Sequence, residues 1–141
     1  MSSLVRNIFA LLVGAIVAIV LIALVQVAAH TVYPPPAGLD YKDPEVMKKI
    51  MMEAPAGALL MVLLSYFTGT AVGAWVAARL SADAPERQGW LIGGMMLVSG
   101  VMNLWAIPHP AWFWVGSIVV FIVAAWLGVK NGARRRPVVA G

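Results

Sequence analysis

Four stretches of this chain are each long and apolar enough to cross a bilayer, and none contains an Asp, Glu, Lys or Arg: Ile8–Ala29, Ala56–Ala78, Gly89–Ile107 and Ala111–Val129. A hydrocarbon core of roughly 30 Å needs about 20 apolar residues at about 1.5 Å rise each, and inside it every backbone polar group must be satisfied internally. An all-α membrane fold follows: four transmembrane helices in an antiparallel bundle. At 141 residues, 62% hydrophobic and 11% charged, the chain forms a single membrane domain over 1–141, with no room for a separate soluble one. The first stretch exceeds the roughly 7–15 apolar residues of a secretory signal, so it is expected to be a retained span.

The absence of charge within the spans also narrows function. Intramembrane ionisable groups normally mark proton relays and ion paths, which argues against proton-coupled export. There is no cysteine, so thiolate metal sites, iron–sulfur clusters and cysteine nucleophiles are excluded. The isoelectric point near 9.9 does not imply nucleic acid, because the cations stand at the ends of apolar runs rather than in a folded basic stripe. Arg6, Arg79, Arg87, Lys130, Arg134, Arg135 and Arg136 fall on one side of a four-span topology, and only Lys42, Lys48 and Lys49 on the other. The positive-inside rule then puts both termini in the cytoplasm. The basic tail over 130–141 is explained by topology and lipid anchoring, or by docking to an acidic partner.

The long connection, Thr31–Pro55, carries Pro34, Pro35 and Pro36, which stop the first helix. Asp43, Pro44 and Glu45 then form a helix-start pattern. Val46, Met47, Ile50 and Met51 share one face, with Glu45, Lys48 and Lys49 opposite, which predicts a short amphipathic helix in the outer interface. At the other outer connection, "PHP" over Pro108–Pro110 makes a tight hairpin. Trp105, Trp112, Phe113 and Trp114 around it have the composition of an interfacial aromatic belt.

Spans associate in lipid through close packing and hydrogen bonds rather than by escape from water. The second span carries Ser65, Gly69, Gly73 and Ala77 at four-residue spacing, and the first carries Ala10, Gly14 and Ala18. Gly89 with Gly93, and Ala124 with Gly128, repeat the spacing on the third and fourth. The second span is therefore expected at the centre, with the first as its close neighbour. A homodimer seam along one of these grooves is the alternative.

Polar side chains gather towards the outer end: Gln26 and His30 on the first span, Ser99 and Asn103 on the third, with Glu53 and His109 in the connections. If His30, Glu53, Asn103 and His109 converge, they offer a metal site or two axial haem ligands, or a quinone site. The plainer reading makes His109 a turn residue capping a carbonyl and His30 a helix-end residue at headgroup level. Met47, Met51 and Met52 are soft enough for Cu(I) but equally ordinary as apolar filling. Tyr66, Thr70, Ser99 and Asn103 would line a passive oligomeric path.

Three motifs, "YPPPAGLD" (Tyr33–Asp40), "GTAVGAWVAARL" (Gly69–Leu80) and "PHPAWFWV" (Pro108–Val115), resemble a group of small uncharacterised bacterial four-span inner-membrane proteins. The resemblance implies this architecture and inner-membrane placement, and carries over no catalytic residue or cofactor. The residues favour a non-enzymatic accessory, assembly or scaffold subunit that self-associates or joins a larger membrane complex. An outer-leaflet metal, haem or quinone protein is the alternative.

Overall fold

Proline and capping chemistry set the helix boundaries of the computed structural model, which describes residues 2–134. Helix α1 (Ser3–Val32) starts where the Ser2 hydroxyl accepts from Val5 N–H, and stops before the three prolines, with Tyr33 N–H bonded to Ala29 O. Its 30 residues span about 45 Å, so it extends past the expected Ile8–Ala29 at both ends. Helix α2 (Pro44–Glu53) has Asp43 as its cap, accepting from Glu45 N–H at 2.9 Å, and Pro44 in its first turn. Helices α3 (Ala56–Leu80), α4 (Pro85–Ala106) and α5 (Ala111–Ala133) follow. The third span therefore begins a full turn earlier than Gly89, at Pro85, whose fixed φ suits a first helical position. Four of the five helices are long and apolar enough to cross a membrane.

Helix α3 is the hub. It contacts α1, α5 and α4, while α1 touches α4 least and does not meet α5. Consecutive long helices run antiparallel, which makes the packed pair α3 and α5 parallel. The reason for the α1–α3 contact is visible at the glycines. A Cβ added to Gly73 would lie 2.7 Å from both the Ala18 Cβ and the Gly14 carbonyl oxygen. One on Gly14 would lie 2.8 Å from Ala77 Cβ and from Gly73 O, and one on Gly69 2.6 Å from Ala18 O. Glycine permits this backbone approach, and dispersion plus the fit itself then hold the pair.

The opposite edge of α3 receives α5 in the same way. A Cβ on Gly132 would lie 2.7 Å from Ala78 Cβ and 2.8 Å from Trp75 O. Helix α4 closes the wedge: a Cβ on Gly89 would meet Val129, and one on Gly93 would strike Ala125. Towards the PHP end the filling changes from small residues to rings. Tyr66 stacks on Phe121 with centroids 4.8 Å apart, and Phe121 covers Gly100 of α4. Along α1 the residues of the α1–α3 seam grow in the same direction, through the series Gly14, Ala18, Ile22 and Gln26.

The other end is pinned by hydrogen bonds. Asn7, on the α1 packing stripe with Ala10, Gly14 and Ala18, donates to Asp83 Oδ1 at 2.7 Å. Its own oxygen accepts from the Ser81 hydroxyl at 3.0 Å and from Ala82 N–H at 2.8 Å. Arg6 adds a bond to Leu80 O at 3.1 Å. The start of α1 is thus tied to the turn between α3 and α4. Arg6, Arg79, Arg87, Lys130 and Arg134 share this end of the molecule, whereas Arg135 and Arg136 of the basic tail lie outside the described residues.

Substituting Gly73→Leu should force α1 off α3 and cost about 3 kcal/mol, the upper range for overpacking, because backbone rather than a flexible side chain stands in the way. Thermal unfolding in mild detergent should show a transition lowered by several degrees, and an unchanged transition would refute the close-approach account.

Candidate functional site

Gln26 lies in the last two turns of α1 and Asn103 in the last turn of α4, both towards the PHP turn, and the fold brings both to neighbouring residues of α3. Gln26 Nε2 donates to Ser65 Oγ at 3.3 Å, and Ser65 Oγ donates to Val62 O at 2.6 Å. Asn103 Nδ2 donates to Tyr66 Oη at 3.2 Å. Helices α1 and α4 both pack on α3 and make few contacts with each other, so the two bonds reach Ser65 and Tyr66 from either side of the seam where α1 and α4 face one another across α3, here called the α1–α4 cleft. Both floor residues are buried, Gln26 is half-buried and Asn103 exposed.

This cleft has spare hydrogen-bonding capacity. Gln26 and Asn103 each spend one amide N–H, leaving a carbonyl oxygen and a second N–H without a protein partner, and Tyr66 accepts a bond without passing its own proton on. In water such groups would be solvated. In a hydrocarbon surrounding each carries a desolvation cost until something pairs with it.

His30, Glu53 and His109 take no part. His30 is exposed at the end of α1 and Glu53 exposed at the end of α2, and no hydrogen bond links either to Asn103 or His109. Helix α2 makes no backbone approach to any long helix, so Glu53 and the methionines Met47, Met51 and Met52 stay apart from the cleft. Among the described residues no group of three His, Asp or Glu side chains could hold a metal ion. His109 is occupied by its own turn: Nδ1 donates to Ile107 O at 2.5 Å, and the ring stacks on Phe113 at 4.9 Å and 14°. The expected convergence on His30, Glu53, Asn103 and His109 thus gives way to Gln26, Ser65, Tyr66 and Asn103. Of the expected path residues, Tyr66 and Asn103 meet, Thr70 is fully buried with an unpaired hydroxyl, and Ser99 is exposed.

Ser65 and Tyr66 are the residues that sequence reasoning placed elsewhere, in the packing groove and on a path. A polar member of a small-residue stripe was the available signal for Ser65. Nothing in the spacing identifies Tyr66 as the acceptor for Asn103. The Asn7–Asp83 anchor also went unforeseen, although Asn7 lies at packing-stripe spacing from Ala10 and Gly14.

No protein-family model matches the chain, and no curated protein and no solved structure matches it.

Burial of the His109 ring disfavours imidazolium and lowers its pKa below the ordinary value, opposed more weakly by the Ile107 carbonyl. A depressed histidine contributes stability above its unfolded pKa, about 6.5, and that contribution is lost as pH falls through the folded value. Protection of the Ile107, His109 and Ala111 amides against exchange, taken relative to the intrinsic rate at each pH, should therefore fall on acidification below about pH 6.5. His109→Phe, which keeps the stack and removes the titration, should abolish that loss of protection; an equal loss in both proteins would contradict the assignment.

Proposed function

We propose that the protein is a non-enzymatic accessory or assembly subunit of a bacterial inner membrane, with both termini cytoplasmic, that recognises a membrane helix of a partner through the α1–α4 cleft. One observation carries this reading: from α1 and α4, which make few contacts with each other, two amides each spend a single N–H on neighbouring residues of α3, and they and the Tyr66 hydroxyl keep unspent hydrogen-bonding capacity. Polar side chains presented by one helix to another act as glue inside a bilayer, at about 1–2 kcal/mol per bond in model peptides and less in whole proteins. The two amides support orientation and selectivity: among the described residues the Ser65 hydroxyl donates to Val62 O rather than to a base or carboxylate. The lysine and arginine bias at the opposite end supports the orientation.

The Tyr66 hydroxyl and the spare amide N–H groups are also donors that a carbonyl-bearing, lipid-soluble ligand such as a quinone would accept from. This second reading predicts a bound small molecule instead of a protein.

Gln26→Leu combined with Asn103→Leu should preserve the fold, because both residues lie at the cleft rim, and should remove any protein that co-purifies from gently solubilised membranes. Light scattering and mass spectrometry of the peak provide the test. A partner retained by the double variant would overturn the partner reading, and loss of an extracted quinone without loss of a protein would favour the second.

A further inference from the structure

Between α4 and α5 lies a groove of about 130 Å³ lined by Trp90, Gly93, Gly94 and Leu97 of α4 and by Phe121, Ile122 and Ala125 of α5. Every lining residue is apolar, so the groove offers nothing to water or to a polar ligand. Its volume is close to the roughly 150 Å³ of an apolar cavity that accepts benzene, which is room for a short run of methylene groups. A helix, about 10–12 Å across, is too wide to enter. An alkyl chain is the occupant of the right width and chemistry.

Helical register then supplies a headgroup site. Arg87, Trp90, Gly94 and Leu97 follow one another at three- and four-residue steps along α4, as do Glu86, Trp90, Gly93 and Leu97. Both charged residues are exposed and stand in the first turn of α4, one turn before Trp90, the first lining residue of the groove, with Arg87 about 10 Å along the axis from Gly94 at the usual rise. A guanidinium beside a carboxylate complements a phosphate beside a primary ammonium. We propose that the α4–α5 groove is a phospholipid site in which one acyl chain lies over Gly94 and a zwitterionic aminophospholipid headgroup pairs its phosphate with Arg87 and its ammonium with Glu86. The site is separate from the α1–α4 cleft and does not depend on the partner reading.

Gly94 makes the test clean, because a Cβ added there meets nothing within 4 Å, whereas one added to Gly93 would strike Ala125. Gly94→Leu fills the groove without disturbing the helix contacts. Delipidated protein is supplied with vesicles of phosphatidylethanolamine, phosphatidylcholine or phosphatidylglycerol, and retained lipid is read by native mass spectrometry, with thermal unfolding as the control for folding. The wild-type protein should retain one phosphatidylethanolamine in preference to the other two, and Gly94→Leu should reduce that retention about tenfold, equivalent to about 1.4 kcal/mol, while unfolding at the same temperature. Glu86→Gln should remove the preference over phosphatidylcholine, and Arg87→Gln should weaken retention of all three. Equal retention by wild type and Gly94→Leu would mean only annular lipid is bound and would overturn the proposal, as would preferential retention of phosphatidylglycerol.

Discussion

The backbone approach of α1 to α3 is the constraint on which the other contacts depend. In a bilayer an apolar side chain gains nothing by leaving lipid for protein, so a helix pair persists only if its surfaces fit better than either fits acyl chains. Gly14, Gly69 and Gly73 provide that fit by removing the atoms that would hold the two backbones apart. With α1 fixed to one edge of α3, the opposite edge, bearing Ala74 and Ala78, is free to take α5 through Gly128 and Gly132. Helix α4 then seals against α5 at Gly89, Gly93 and Gly100. A larger side chain at Gly73 would disturb this order at its origin, while a Cβ at Gly94 would meet nothing within 4 Å.

The change of filling along the bundle connects packing to the candidate site. Near the Asn7–Asp83 anchor the helices meet through glycine and alanine, and towards the PHP turn they are separated by Tyr66, Phe113 and Phe121. The Tyr66 ring packs against Phe113 and Phe121 of α5, with Phe121 also over Gly100 of α4, while on α1 the seam residues grow to Ile22 and Gln26. The cleft between α1 and α4 lies in this half of the bundle, where Gln26 and Asn103 reach α3. The amides of Gln26 and Asn103 reach its polar floor from the last two turns of α1 and the last turn of α4.

Much of the fold was legible in the sequence because the relevant signals are local and periodic. Apolar length defines the four long helices, the Asp43–Pro44–Glu45 pattern starts α2, and four-residue spacing marks α3 as the centre. The candidate site was legible only in part. Gln26 and Asn103 stood out as polar residues in apolar helices, but their partners Ser65 and Tyr66 depend on how each helix is rotated about its axis, which the packing of all four decides. His109 drew attention because two prolines flank it, yet a turn that short lets the ring satisfy its own backbone at Ile107 O. The start of α4 at Pro85 was missed because the polar residues before Gly89 hide a helix turn that lies beyond the apolar core.

The central functional claim is that the α1–α4 cleft, rather than the bundle surface in general, meets another protein. The most direct measurement is photocrosslinking in native membranes from a reactive residue at Ser99, exposed one turn from Asn103, compared with the same residue at Val119, exposed on α5. The account predicts a discrete protein adduct from position 99 and only lipid adducts from position 119. Adducts of the same pattern from both positions, or protein adducts from 119 alone, would contradict it.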